Sequence, residues 1–597
     1  MARASDVCVR YHALAADYDG TLAHHGKVDE ATWAAVRRLR ESGRQLILVT
    51  GRQLDDLLAN IEHPELFDRI VAENGALIYQ PDAKRIRTLA PAPPPRFAEE
   101  LRKRGVDNVA CGRVIVATWE PHEDTVLHAI HELGLELQVI FNKGAVMVLP
   151  TGVNKATGLR AALCELGLSA HNVVAVGDAE NDHALLAMAE CGVAVANALA
   201  VLKERADIIT GADHGIGVAE LIDRLIADDL AAAAPKLRRH HIRLGRTGES
   251  DVTVDPYSAN VLVCGTSGGG KSTVVTWFLE QLAEAEYQYA IIDPEGDFIT
   301  LEDAVVIGGS DGPPRLEEVL DVLKDPSRNV VIDMLGVALE HRPEMFAKLL
   351  PALGTLRTRT GRPHWVVVDE AHHLLPAAYA PAGETIATRP RGIAYITVHP
   401  DAVAPAVLRA VHDVLIVGGH PHDTLRAFCT AVQLPMPRAP QMDKLPAGQV
   451  LWWRVGAHSA VELRCELPKN ERTRHSRKYT EGNLGRDRSF YFRGPAAKLN
   501  LKAHNLQMFL QLAEGVDDET WLHHLGHHDY STWLRHEVKD AELADEVHQV
   551  ELASELAPAD SRVQIRAAIE KRYTLPADAP TGVIDPEEDA ARRAALG

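Results

Sequence analysis

Cysteine is scarce. The chain has seven in 597 residues, at positions 8, 111, 164, 191, 264, 429 and 465, and no CxxC pair. An odd, scattered set excludes a disulfide framework and a cysteine-built zinc site, and it fits a reducing cytoplasm. Long apolar runs are missing as well. No stretch of about eighteen uncharged apolar residues occurs, so no membrane span is expected. The opening "MARASDVCVRYHALAADYDG" lacks the apolar core and cleavage site of a signal peptide. Positive charge is also short: 63 Lys and Arg face 83 Asp and Glu, for a net charge of −20. Counterion release from DNA needs Lys and Arg on phosphates, so tight non-specific binding by one chain is not expected. A local basic lining, such as an oligomer's pore, stays open. No HExxH occurs. The histidine pairs 24-25, 240-241, 372-373, 523-524 and 527-528 point in different directions if helical, which argues against metal binding. What is present, 46% hydrophobic and 24% charged residues, suits a soluble globular protein. The length asks for roughly three or four domains.

The first informative stretch is "YHALAADYDGTL". It reads as a buried strand ending at Asp17, with Asp19 two residues on and pointing the same way. Paired carboxylates repel, so a positive partner is expected between them. An amphipathic helix, "DEATWAAVRRLRESG", follows, with Trp33, Val36 and Leu39 on one face and Gly43 at the stop. Then come a strand "QLILVTGR" ending at Thr50, Lys155 opening a helix in "LPTGVNKATGLRAAL", and "NVVAVGDAENDHALL", a strand ending at Asp178 with Asp182 opening the next helix. In an open parallel sheet these strand ends share one edge. Asp17 can then attack a phosphoryl group, and Asp19 can protonate the leaving group and later activate water. Asp17, Asp178 and the Asp19 carbonyl suit Mg²⁺, with Asp182 positioning its waters. Thr50 and Lys155 can hold the phosphoryl oxygens. The four motifs "DYDGTL", "VTGR", the lysine and "GDAEND", in order, resemble those of the haloacid dehalogenase (HAD) superfamily of phosphatases. "AENGALIY" and "CGVAVANA" resemble its Cof-type branch. That resemblance implies a Rossmann-like domain over residues 1–230 with a small α/β cap at about 80–150 that selects the substrate. On the cap, Arg102, Lys103 and Arg104 either meet an acidic substrate or form a solvated helix face.

Residues 231–246, "LAAAAPKLRRHHIRLGR" with its flank, read as a linker. Next, "NVLVCGTSGGGKSTVVTWFLEQL" places GxxxxGK[ST] between a strand and a helix. The loop Gly265, Thr266, Ser267, Gly268, Gly269, Gly270, Lys271, Ser272 and Thr273 is expected to wrap ATP phosphates, with Lys271 on the β and γ groups and Ser272 on Mg²⁺. In "WVVVDEAHH", Asp369 ends a strand and Glu370 can deprotonate an attacking water. This glutamate favours hydrolysis over transfer to a substrate hydroxyl. "HIRLG", "GTSGGGKST", "IIDPEGDF" and "VVVDEAHHLLP" resemble the HerA/FtsK superfamily, which implies a homo-oligomeric ring, usually a hexamer, working on DNA or protein. The chain departs from that pattern in carrying His399 where a glutamine sensor is usual, and in having a phosphatase in place of the N-terminal barrel. Arg389 and Arg391 are candidate fingers for a neighbour's site, or plain surface arginines.

The α/β ATPase is expected over 247–470, a small, mainly helical domain over 471–575 and a tail over 576–597. Arg472, Arg474, Arg477, Lys478, Tyr479, Arg488, Phe490, Tyr491, Phe492 and Arg493 mix charge with aromatics. They form either a nucleic-acid stacking surface or a core with solvated arginines. Four functions stay open. ATP hydrolysis moves a polymer, DNA or another, while the phosphatase trims a nucleic-acid end or nucleotide. Alternatively the phosphatase acts on a small sugar-phosphate-type metabolite under ATPase control, the chain processes ends like a polynucleotide kinase-phosphatase, or one engine is a degenerate scaffold.

Overall fold

The computed structural model describes residues 9–234, 237, 239–377, 391–446, 448–468, 489–495, 498–538, 540–553 and 557–572. The candidate finger Arg389, the basic loop residues from Arg472 to Arg488 and the tail lie outside the described residues. Among those described, strands form sheets of eight, eleven, four and two. No described helix is long and apolar enough to cross a membrane. The architecture is α/β twice over, with a helical C-terminal part.

The eight-stranded sheet is centred on Val173–Gly177, Ala13–Ala16, Gln45–Val49 and Arg69–Ala72, adjacent and parallel. These strands are continuous apolar runs because helices cover both faces. Trp33, Val36 and Leu39 of helix Glu30–Glu41 are buried as their spacing requires. The antiparallel hairpin Leu77–Gln80 and Arg85–Thr88 extends the same sheet. The cap's own sheet therefore starts later than the expected boundary near 80, with Ala110–Cys111, Val116–Trp119, Leu137–Asn142 and Ala145–Pro150. Strand alternation gives that sheet two faces. Val146 and Val148 pack with Phe97, Leu101 and Val126 of the cap helices. Met147 and Leu149 turn the other way, toward Val114, Ile115 and Ala76.

Described residues in and beside the expected linker pack against the phosphatase side. Leu230, Ala233 and Leu237 join the phosphatase-side core. Arg239 donates to the carbonyls of Leu186 and Ala189 at 3.0 and 2.7 Å. Ile242–Thr247 is already a strand of the eleven-stranded sheet. In that sheet the run Asp413–Val417, Asn260–Gly265, Ile393–Thr397, Trp365–Val368, Tyr289–Asp293, Asn329–Asp333, Ala304–Gly308 is parallel. The C-terminal part is a short hairpin and helices around Phe490, Phe492, Phe509, Trp521, Tyr530 and Trp533. Phe490 and Phe492 are thus core residues, and burial removes them from any stacking surface.

Candidate active sites

Asp17, Thr50 and Asp178 each follow the last residue of adjacent parallel strands, so backbone geometry alone brings them to one edge. Lys155 opens helix Lys155–Leu166, which Asn154 caps. Its Nζ donates to Asp17 Oδ1 and Asp182 Oδ1, both at 2.6 Å, and all three side chains are buried. Asp182 Oδ2 accepts the backbone N–H groups of Asp178 and Ala179 at 2.9 and 3.0 Å. Asp182 therefore shapes the loop that presents Asp178 and steers Lys155. Thr50 is buried, and its hydroxyl accepts the Arg52 N–H at 3.2 Å. Burial pushes the Asp17 carboxyl up to about 7, with Lys155 pulling it back only in part. Burial also opposes the Lys155 ammonium, but Asp17 and Asp182 outweigh it and raise its pKa. Asp178 is raised by burial too.

Asp17, Asp178 and Asp182 offer oxygen atoms within 4.8 Å of one another. A buried set of hard oxygens in which the Asp17 and Asp178 carboxyls are pushed upward calls for more positive charge than Lys155 supplies, so the residues fit Mg²⁺. With Asp182 committed to Lys155 and the loop, Asp17, Asp178 and the Asp19 carbonyl are the better donors.

Three residues without an assigned role in the sequence reading complete this site. Arg52 grips Asp19 with two bonds, Nε to Oδ2 at 2.6 Å and Nη2 to Oδ1 at 2.7 Å. Glu73, the acid of "AENGALIY", is buried and accepts the N–H groups of Arg113, Val114 and Ile115 at 2.8, 2.7 and 3.0 Å, which pins the base of the cap. Lys143, from the cap, reaches Asp178 Oδ2 at 2.7 Å. Only a cap hairpin ending in "NKG" marked it in the sequence. Of the two readings of the cap arginines, the contacts favour the solvated helix face: Arg104 bonds Glu100 at 2.9 Å and Arg102 the Val109 carbonyl at 3.4 Å.

The phosphate loop follows strand Asn260–Gly265. Gly265 has φ +142°, and a Cβ there would meet the Val417 carbonyl at 2.0 Å. Gly268 and Gly270 also have positive φ, a turn that glycine adopts without strain. Thr266 Oγ1 accepts the Gly419 N–H at 3.2 Å, Ser267 lies exposed at the loop, and Gly269 turns back on the Thr266 carbonyl at 3.0 Å. Lys271, Ser272 and Thr273 begin helix Lys271–Glu284, and Lys271 Nζ lies 3.2 and 3.1 Å from the carbonyls of Gly265 and Thr266.

Strand Ile393–Thr397 lies between the phosphate-loop strand and the strand preceding Asp369. That order brings His399, Asp369 and Glu370 to the same sheet edge as Lys271. Asp369 is buried, and burial followed by Glu370, Asp293 and Glu295 drives its pKa well up. This excess of buried acid fits a divalent cation carried with nucleotide phosphates. Asp293 Oδ1 accepts N–H groups of Glu295 and Asp297, both at 3.1 Å, ordering the "DPEGDF" loop. Glu370 has φ +44°, backbone strain of the kind held at functional positions. His372 Nδ1 lies 3.3 Å from Glu370 Oε2 and 3.1 Å from Thr397 Oγ1. Burial pushes its pKa down to about 4. Read in the sequence only as half of a histidine pair, His372 links the glutamate to the strand that carries His399, whose ring is 5.8 Å away. Arg391 is exposed.

A family model for haloacid dehalogenase-like hydrolases matches residues 14–113 and 132–222, and one for the central domain of helicase HerA matches 242–342. Phosphoglycolate phosphatase of Methanothermobacter thermautotrophicus is 32% identical over 232 residues, 36% of this chain and 98% of that protein. Phosphoglycolate phosphatase 2 of Saccharolobus solfataricus is 30% identical over 226 residues, 36% and 92%. A haloacid dehalogenase-like hydrolase from Bacteroides thetaiotaomicron aligns over 36% of this chain and 100% of its own at 22% identity, with a TM-score of 0.32. The chain is therefore a hydrolase that belongs, through its N-terminal part, to the haloacid dehalogenase-like family, and it continues into a HerA-type ATPase domain.

Proposed function

We propose that the chain is bifunctional: a Mg²⁺-dependent phosphatase for a small anionic phosphate ester, joined to an ATP-hydrolysing domain. The observation that carries the phosphatase reading is the buried convergence of Asp17, Lys155, Asp178 and Asp182. Asp17 attacks phosphorus, the bond to the leaving-group oxygen breaks, and an aspartyl-phosphate forms. Asp19, fixed by Arg52, gives its proton to the leaving oxygen and then takes one from the water that cleaves the acyl phosphate. Lys155 and Thr50 hold the phosphoryl oxygens. Bound at Asp17, Asp178 and the Asp19 carbonyl, Mg²⁺ supplies charge neutralisation that lets two anions meet. Relatives matched over nearly their whole length are phosphoglycolate phosphatases, which favours a small acid ester over a nucleic-acid end.

At the second site Glu370 takes the proton of a water attacking the γ-phosphate, while Lys271 and the loop amides hold the β and γ groups. The presence of Glu370 beside Asp369 argues against a polynucleotide kinase-phosphatase. The match to the HerA central domain favours a ring-forming motor on DNA as a second reading of this half. ATPase turnover stimulated by DNA and a native mass of several chains would support it.

Phosphate release from phosphoglycolate, sugar phosphates and phosphorylated oligonucleotides, with and without ATP, tests the whole. Asp17→Asn is expected to lower phosphatase turnover about 10³-fold or more and to leave ATP hydrolysis intact. Lys271→Ala is expected to do the reverse. Retained phosphatase turnover in Asp17→Asn would overturn the mechanism.

A further inference from the structure

Lys143 stands at the tip of the cap hairpin, between the paired residues Asn142 and Ala145. Lys143 and Gly144 both have positive φ, 49° and 82°, the two-residue turn whose twist matches its strands. The tip is thus a stiff mount for a long side chain. Its ammonium lies 2.7 Å from Asp178 Oδ2 and 3.3 Å from the Asp19 carbonyl. Gly20 makes room for it: a Cβ there would fall 2.6 Å from Lys143 Nζ. Other cap cations are tied down away from the site, Arg104 by Glu100 and Glu132 and Arg113 by Asp55. Lys143 alone among the described cap residues is ion-paired to a strand-end carboxylate of the phosphatase site.

The oxygens it touches are two of those suited to Mg²⁺. Two cations cannot share them, so an ion at Asp178 moves the ammonium aside while the hairpin keeps it over the site. The nearest ground is beside Asp19, the leaving-group side, because Asp19 lies two residues beyond the nucleophile and holds the proton for the departing oxygen. A cation held there has no use for the phosphoryl group, which Lys155 and Thr50 already serve.

We propose that Lys143 is a specificity residue: its ammonium pairs with a second anionic group, a carboxylate or another phosphate, carried on the leaving group of a short ester. The proposal rests on the phosphatase reading above. A charge-assisted pair of this kind is worth about 10- to 100-fold in kcat/KM.

The test uses the full chain with Mg²⁺ and three esters of similar length: 2-phosphoglycolate, ethylene glycol bisphosphate and neutral-tailed 2-hydroxyethyl phosphate. In Lys143→Met, the ratio of kcat/KM on the preferred anionic ester to that on hydroxyethyl phosphate should fall about 10- to 100-fold, mainly through KM. Lys143→Arg should restore part of it. Which anionic ester loses more identifies carboxylate or phosphate. Calorimetric titration with Mg²⁺ in the absence of substrate should show tighter binding in Lys143→Met, because the competing ammonium is gone. A ratio within twofold of wild type in Lys143→Met overturns the proposal, as does unchanged Mg²⁺ affinity. Wild-type protein that binds Mg²⁺ but cleaves none of the esters overturns the small-ester reading itself, a separate outcome.

Discussion

In the proposed mechanism Asp19 serves as acid and then as base, and its carboxylate is held by one side chain. Arg52 makes two hydrogen bonds to it and also pairs with Asp56 at 3.2 Å. A single carboxylate on a loop would sample several rotamers, and a bidentate guanidinium selects one. Arg52→Ala should therefore lower phosphatase kcat about 10- to 100-fold with little change in melting temperature, since Arg52 is partly exposed. Steady-state kinetics beside a thermal melt checks this, and a kcat within twofold of wild type would remove Arg52 from the mechanism. Asp17, Asp19, Lys155 and Asp178 were legible because each polar residue follows or opens an apolar element at a fixed place. Arg52 was legible as part of "VTGR", yet its partner was not, because a salt bridge to Asp19 depends on how two loops meet.

Among the elements, the cap is anchored at its base by backbone N–H groups. Three successive amides, from Arg113 to Ile115, end on the buried Glu73 carboxylate. Glu73 itself has φ +52° and Asn74 φ +57°, so the turn that aims the carboxylate is strained. Asn74 is held by Asn181 at 3.1 Å, which ties the same turn to the loop after Asp178. Glu73→Ala leaves the three amides without their acceptor. It should cost about 2–4 kcal/mol, seen as a lower melting temperature and a raised KM. The alternation of Val146 and Val148 against Met147 and Leu149 could be read from the strand period. The placement of the hairpin Leu77–Gln80 and Arg85–Thr88 in the main sheet could not, because pairing partners are set by tertiary geometry.

For the whole molecule, the decisive feature is a seam where both parallel sheets begin. Tyr11, His12 and Asn172 precede phosphatase-side strands; Tyr257, Tyr287, Gln288 and His364 precede ATPase-side strands. They meet directly. His171 stacks on Tyr287 at 3.7 Å, its Nδ1 lies 2.6 Å from Glu190 and its Nε2 lies 2.5 Å from the Ala285 carbonyl. Tyr257 donates to the His171 carbonyl at 2.7 Å, and Arg362 donates to the Gly167 carbonyl. Burial alone would raise Glu190, but His171 and Arg10 outweigh it and hold it down at about 2. Because ligands gather where parallel strands end, the two reactive edges lie at the far ends of their sheets from this seam. The exposed Arg160–Glu286 pair, at 2.7 Å, adds little to the seam. The histidines at the seam matter more: desolvation drives His12 down to about 4, lowers His240 and drives the buried His364 well down. The unfolded chain binds more protons than the folded one between these values and about 6.5, so stability falls as pH drops through that window. The raised carboxyls of Asp17, Asp178 and Asp369 act in the opposite sense. His364→Gln should therefore flatten the fall in melting temperature from pH 7 toward pH 4 relative to wild type, and an unchanged pH profile in that variant would show that the seam does not titrate.

The sequence by itself determined the two families and where their proposed sites lie, because strand-end aspartates and a glycine-rich loop are particular residues at short, fixed spacings. Only the tertiary structure decided which cation the cap presents, which histidine lies beside Glu370, and that Leu230, Ala233 and Leu237 of the linker region pack into the phosphatase-side core. Those features join residues tens to hundreds of positions apart, and chain spacing says nothing about a contact that packing alone creates.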